Sequence, residues 1–256
     1  IEEIADQILN TPERIEVSKP KQEHAHIEQR LYFSDHLDQK NEQLKRLVEQ
    51  EDFRQMIVFT ATKADTIRLS NLLNEGFKVK INAVLMRGVN DDEIIDFVNL
   101  TKKKRIHVRF IEFMPFDGNN WNWDKKVSYK AILNEIDEKL GATSYLKIED
   151  HKNDTARNFR LLNSVGTFAI ISSVTNPFCD SCNRIRLTAN GTIKNCLFSG
   201  GEVNILEPFR KNEAIMPIVK MALGEKHKMR GGMDTLEQFS DPKKNQANRS
   251  MILIGG

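Results

Sequence analysis

The sequence of 256 residues has no fourth cysteine: Cys179, Cys182 and Cys196 are its whole supply. An odd set of three argues against the disulfide framework of a secreted domain and for a reducing compartment in which thiolates bind metal. No apolar run approaches the roughly 20 residues needed to span a bilayer, and the opening "IEEIADQILN" lacks the basic start and apolar centre of a secretory signal. No excess of one charge is present either. With 38 basic residues against 36 acidic ones, net +2, the chain carries no broad field to draw in nucleic acid or an anionic membrane, so any anion site must be local. Internal repeats and low-complexity segments are absent. The first residue is Ile rather than Met, which carries the expectation that the true N-terminus lies further upstream.

With 39% hydrophobic and 29% charged residues, the chain reads as soluble and globular, with material for one large domain or two small ones. Up to about Phe77 the pattern is helix, extended segment, helix, strand, helix. "MIVFTAT", residues 56 to 62, is a short apolar, β-prone run of the kind found in buried parallel strands. Thr62 with Asp65 makes a capping box for the next helix, which Gly76 ends. "IEEIADQILNTPERIEV" and "QMIVFTATKADTIRLSNLL" resemble DEAD-box RNA helicases across the junction of their two RecA-like domains. The phosphate-cradling GxxxxGK[ST] loop by which such enzymes hydrolyse ATP is absent, so this stretch is expected to be a structural fragment.

From Lys78 the grammar becomes strand, helix, strand: "KVKINAVLMRGVNDDEIIDFVNLTKKKRIHVRFIEFMPF" is a βαβ unit with Asn90 as the helix cap and Glu93 at its third position. Ser128 caps a second amphipathic helix that ends at Gly141. Then "NFRLL", "GTFAIISSV" and a hairpin in "RIRLTANGTIKNCLF", turned at Asn190-Gly191, predict a small antiparallel sheet. Strands 79–86 and 107–114 are expected to pair in parallel, with 56–61 a candidate neighbour for the open edge.

The hairpin gives the three cysteines a common purpose. C-x2-C sets two thiolates on one tight loop, and the turn returns Cys196 toward them. Convergent thiolates bind soft metals, either zinc, which takes a fourth protein ligand, or an iron-sulfur cluster, which can keep one iron open. Arg184 and Arg186, two apart on a strand, share a face beside that loop, where guanidinium groups suit a phosphate or the edge of a base. Lys80 shares a strand face with Asn82. Arg109, in an otherwise apolar strand, needs an anionic partner if buried. Met114 by itself reads as core packing.

On "VKINAVLMRGVND", "RFIEFMP", "PFCDSCNRIRLTANGTIKNCLF" and the terminal "LIGG", residues 78–256 resemble the C-terminal two-thirds of molybdenum cofactor biosynthesis protein A, the GTP 3′,8-cyclase family of the radical SAM superfamily. In that family an incomplete β/α barrel holds one 4Fe-4S cluster that cleaves S-adenosylmethionine, and a smaller C-terminal domain holds a second whose open iron takes the guanine of GTP. The resemblance implies that Cys179, Cys182 and Cys196 hold the second cluster, that Lys80, Arg109, Arg184 and Arg186 contact GTP, that Met114 lies against S-adenosylmethionine, and that Gly255-Gly256 is a mobile tail reaching the active site. The fold it implies is α/β: an N-terminal RecA-like fragment (1–77), a partial β/α barrel (78–141) and a small antiparallel-sheet iron-sulfur domain (142–256).

The C-x3-C-x2-C motif that makes the family's radical is missing, since all three cysteines serve the second site. The expectation is therefore the GTP-binding, cluster-holding part of a lyase of molybdenum cofactor synthesis, in the cytoplasm or mitochondrial matrix, inactive alone and meeting either a second copy or the next enzyme of the pathway. The alternative is a non-catalytic zinc module with a helicase-derived RNA surface.

Overall fold

In the computed structural model, residues 30–74, 76–116, 118–233, 235 and 237–238 are described. The chain divides into two compact units, residues 1–59 and 60–256. In the first, helix α1 (Leu37–Val48) has Asp38 in its opening turn and Lys45 and Arg46 in its last, as the helix dipole favours. The helicase-like stretch "IEEIADQILNTPERIEV" lies outside the described residues.

"MIVFTA" does not form the expected strand. Residues 53–60 carry no regular structure, and Ile57 and Phe59 are 81% and 92% exposed. An apolar run becomes a strand only when a neighbour takes up its backbone groups, and no described strand pairs with this one. Neither a RecA-like sheet nor the substitute neighbour for the open edge is therefore formed by the described residues.

In the second unit, α2 (Lys63–Leu73) begins as read: Thr62 Oγ1 accepts from the Asp65 amide at 3.1 Å and donates to its carboxylate at 2.8 Å. Strand β1 (Lys80–Leu85) leads through a 3-10 turn (Asp91–Glu93) to α3 (Ile94–Lys103) and β2 (His107–Glu112). Asn90 does not cap that helix. Its amide side chain bridges the preceding turn, accepting from Met86 N (2.8 Å) and donating to Val84 O (2.9 Å), which satisfies strand-end backbone groups instead. Ser128 does cap α4 (Tyr129–Leu140), accepting from Ala131 N, and Gly141 at φ +93° closes it.

Strands β1 and β2 pair in parallel, Lys80 opposite His107 and Asn82 opposite Arg109. The predicted separation of "NFRLL" and "GTFAIISSV" into an antiparallel sheet of their own is corrected by the structure. They form β4 (Ala156–Leu161) and β5 (Thr167–Ile171), and with β3 (Tyr145–Lys147) they join β1 and β2 in one mixed sheet of order β1-β2-β5-β4-β3. Phe168, Ala169 and Ile170 are wholly buried, as befits a central strand; β5 runs parallel to β2 on one side and antiparallel to β4 on the other.

Alternation gives this sheet two unlike faces. Ile81, Ala83, Leu85, Val108, Phe110, Phe159, Leu161, Phe168 and Ile170 pack under Ile94, Phe97 and Val98 of α3 and Ile132 and Ile136 of α4. Each of these Val, Leu, Ile and Phe side chains contributes about 1.5–3 kcal/mol on leaving water. The opposite face presents Lys80, Asn82, His107, Arg109, Asn158 and Thr167.

The small antiparallel sheet is built from β6 (Arg186–Leu187), β7 (Thr192–Lys194) and β8 (Val203–Asn204). Only Gly191 of the Asn190-Gly191 pair has positive φ, +76°, and a loop from Thr188 to Gly191 closes the hairpin. Short helices α5 (Leu206–Arg210) and α6 (Met216–Gly224) follow.

Candidate functional site

The polar sheet face and the cysteine loop are the two places where chemistry concentrates. On the sheet, a cavity of about 440 Å³ is lined by Lys80, His107, Arg109, Arg160, Asn158 and the 148–156 loop, with Glu149 and Asp154 as its acids. A second, of about 590 Å³, continues from it at the amino ends of the parallel strands, lined by Lys78, Lys80, Arg105, His107 and Arg160 with no carboxylate. Lys78, Lys80, Arg105, Arg109 and Arg160 form no ion pair with the described residues. Arg109 Nε is buried with no hydrogen-bond partner among them. A desolvated guanidinium N–H without an acceptor is costly, and the usual resolution is an anion.

His107 sits in the row between Lys80 and Thr167, its Nδ1 2.7 Å from Thr167 Oγ1. Burial, then the charges of Arg109 and Lys80, hold its pKa below the ordinary imidazole value. Sequence reading passed over His107, Asn158 and Arg160. The signal was there for the first: "HVRFIE" sets His107 two residues before Arg109, on the same face of an otherwise apolar strand.

Glu112 was missed too. At the carboxyl end of β2 it is fully buried and accepts from Val174 N (2.8 Å), Thr175 N (3.0 Å) and Thr175 Oγ1 (2.7 Å). It thus fastens the turn that leads into the cysteine loop. Strand β2 ends there, before Met114, so the strand's alternation does not dictate which way Met114 points. Arg109 faces the polar cavity, and Met114 packs against the buried cluster of Phe116, Val174, Phe198 and Met233, as Cys196 also does.

Cys179 opens a 3-10 turn (Cys179–Ser181), and Cys182 N donates to Cys179 O at 3.1 Å. Cys196 follows β7 in a loop held by Ser199, whose Oγ donates to Cys196 O at 3.1 Å, and by Lys194 Nζ, which donates to Ser199 O. Cys196 is pushed up chiefly by burial and further by the Cys179 and Cys182 thiols; the Phe198 and Ser199 amides offset part of this. At Cys182 burial acts upward, but the Arg184 amide, Lys226 and the Arg184 side chain together bring the thiol below its ordinary value. Arg230 N donates to Cys179 Sγ at 3.5 Å.

Among the described residues, no group of three or more His, Cys, Asp and Glu side chains is drawn together so as to hold a metal ion. The thiols nonetheless fit an iron-sulfur cluster in donor type and in the amides directed at their sulfurs, which is how proteins stabilise the negative charge of such a group.

Arg184 is not on a strand with Arg186, as expected from the sequence; β6 begins at Arg186, opposite Lys194. The backbone before β6 is taken up by the cysteine loop, so the two guanidinium groups are not fixed to one face. Arg184 stacks over Phe178 at 5.6 Å and donates to Asn153 O at 2.6 Å. Asn153 belongs to the loop whose His151, Asp154 and Thr155 rim the 440 Å³ cavity. The structure therefore brings Lys80 and Arg109 into one cavity and Arg184 to its rim; Arg186 does not line it. Gly255-Gly256 lies outside the described residues. Among those described, no helix is long and apolar enough to cross a membrane.

Residues 106–231 match the family described as Molybdenum Cofactor Synthesis C. A mitochondrial GTP 3′,8-cyclase of Arabidopsis thaliana is 44% identical over 181 residues, 70% of this chain and 44% of that protein. Molybdenum cofactor biosynthesis protein 1 of Mus musculus is 42% identical over 184 residues, 70% of this chain and 28% of that protein. A GTP 3′,8-cyclase of Listeria welshimeri is 37% identical over 183 residues, 70% of this chain and 54% of that protein. The chain spans about half or less of the length of these relatives. Their matches give no support to the helicase-like reading of residues 1–77. By these similarities, the C-terminal region of the chain resembles the molybdenum cofactor biosynthesis proteins that include the GTP 3′,8-cyclases.

Proposed function

We propose that residues 78–256 are the GTP-binding, cluster-holding part of a GTP 3′,8-cyclase in molybdenum cofactor synthesis, without the means to start the radical reaction alone. The observation that carries this is the buried Arg109 Nε, which has no hydrogen-bond partner among the described residues, in a cavity that Lys80 and Arg160 also line. Lys80 and Arg109 take the phosphates in this reading. Arg184, supported on Phe178 and tied to the cavity rim, bridges from the nucleotide to the cysteine loop, and Arg186 lies further along on β6. Cys179, Cys182 and Cys196 would hold a 4Fe-4S cluster, which with three thiolates supplies one open iron to a base atom of GTP. Met114, which packs against the same apolar cluster as Cys196, is the residue for the S-adenosylmethionine side. The parallel β1-β2 pair supports the partial-barrel reading, with the cluster-holding region following it, and the name of the Arabidopsis relative supports a mitochondrial location.

Charge-assisted contacts are worth about 1.5–3 kcal/mol each, so Lys80, Arg109 and Arg184 together hold GTP weakly. Equilibrium dialysis of the anaerobically reconstituted chain tests this. Arg109→Ala should weaken GTP binding by roughly 10- to 100-fold, and Arg184→Ala with Arg186→Ala should abolish it at micromolar protein. With dithionite and S-adenosylmethionine, this polypeptide should release no 5′-deoxyadenosine, because no cysteines remain for a second cluster. GTP binding that ignores Arg109, or 5′-deoxyadenosine from this chain alone, would refute the proposal.

A further inference from the structure

One short segment, Lys226 to Gly231, touches Cys179 and Cys182 and packs against the backbone just after Cys196. Lys226 Nζ donates to Arg184 O at 2.8 Å and Cys182 O at 3.2 Å, and lies 3.4 Å from Cys182 Sγ. Four residues on, the Arg230 amide donates to Cys179 Sγ. Gly231, at φ +66°, packs so tightly that a Cβ there would stand 2.6 Å from Ser199 N and 2.9 Å from the Phe198 carbonyl carbon, just after Cys196. The segment is itself anchored: Asn195 Nδ2 donates to Ala222 O at 2.9 Å at the end of α6.

An ammonium has three donors and no acceptor, and here each donor has an acceptor, two carbonyls and a sulfur. The carbonyls of Cys182 and Arg184 flank Asn183. Drawing both onto one cation fixes the path of the extended backbone between the thiol and the guanidinium. Surface lysines usually spend their charge in solvent; this one is half-buried, and both of its oxygen acceptors lie more than 40 residues away in sequence.

We propose that Lys226 is a positioning residue: it locks the Cys182–Arg184 segment, so that the metal-binding thiol and the nucleotide-facing guanidinium hold a set distance from one another. This rests on the reading of the cysteines as cluster ligands and of Arg184 as a GTP contact, and adds the residue that joins the two. Arginine would be a poor substitute, because a planar fork cannot gather three converging acceptors as a compact ammonium does.

Two measurements on the full chain test it. Without iron, Lys226→Gln should speed hydrogen exchange of the 182–187 amides about tenfold or more, as loss of charge-assisted hydrogen bonds implies, and leave β1, β2 and β5 unchanged. After anaerobic reconstitution with iron and sulfide, the variant should retain less iron and titrate at a more negative potential than the parent, since a cation beside a thiolate favours the added electron. Lys226→Arg should fall between them. Unchanged exchange over 182–187 overturns the proposal whatever the iron result, as does faster exchange throughout the sheet, or an unchanged potential in a variant that takes up iron. A parent chain that takes up no iron would sink the cluster reading alone, and the exchange result would still decide the role of Lys226.

Discussion

Replacing Glu112 by Ala should destabilise the protein more than any surface change near the cavity. The carboxylate is fully buried and accepts three hydrogen bonds, from the Val174 and Thr175 amides and the Thr175 hydroxyl. Truncation leaves two amides without acceptors, at about 1–3 kcal/mol each; the hydroxyl can rotate toward another partner. A loss of about 3–5 kcal/mol follows, a large share of the roughly 5–15 kcal/mol that holds a domain together. Glu112→Gln keeps one oxygen for the amides and should cost only about 1 kcal/mol. Urea unfolding followed by far-UV circular dichroism reads both. At a slope near 2 kcal/mol per molar, Glu112→Ala moves the midpoint down by about 2 M and Glu112→Gln by about 0.5 M. Because this turn leads into Cys179, iron retention after reconstitution should fall in the same order. A loss below about 1 kcal/mol for Glu112→Ala would show that water or a repacked turn meets those amides, and that the carboxylate does not hold the cysteine loop.

Gly191→Ala should lower stability by about 2–4 kcal/mol, seen as a fall in Tm, because alanine is strained at φ +76° and its Cβ would stand 2.4 Å from Leu206 Cβ; an unchanged Tm would mean the hairpin loop relaxes freely. Inorganic triphosphate should bind more tightly as pH falls from about 8 to 6, because an anion beside Lys80, Arg109 and Arg160 restores the proton that burial and those cations deny His107. His107→Asn should flatten that slope and His151→Asn, on the rim beside Glu149 and Asp154, should not; equal effects would misassign the group. The Tyr145 hydroxyl donates to Asp137 at 2.9 Å, and burial followed by that bond pushes its pKa up to about 12. The folded state therefore favours the neutral phenol, a contribution fully present below pH 10 and lost as pH rises toward 12. Tyr145→Phe should reduce the fall in stability between pH 9 and 11, and a parallel fall in both proteins would refute it.

Local elements were legible because they follow from short-range chemistry. The Thr62 and Ser128 caps, the Gly141 stop and the parallel pairing of β1 with β2 could be read from the sequence pattern, and so could the close spacing of Cys179 and Cys182 on one loop. Asn90 shows where that reasoning stops: an Asx side chain serves a helix or a turn equally well, and the strand ends that needed donors and acceptors decided.

What the sequence by itself determined is the chemistry on offer: three thiols and no fourth, a lysine and arginines at alternate strand positions, and an apolar pattern for one face of a sheet. Assembly was decided by tertiary structure. "MIVFTA" has every local mark of a strand and remains exposed, because strand formation needs a neighbour's backbone and none of the described strands supplies it. "GTFAIISSV" reads equally well in either sheet, and long-range pairing with β2 placed it in the larger one. Arg109 became an anion-seeking group because β5 and β4 closed beside it, and Glu112 a fastening because the 174–175 turn came to its end of the strand. These outcomes depend on contacts more than 40 residues apart in sequence, which no local window contains.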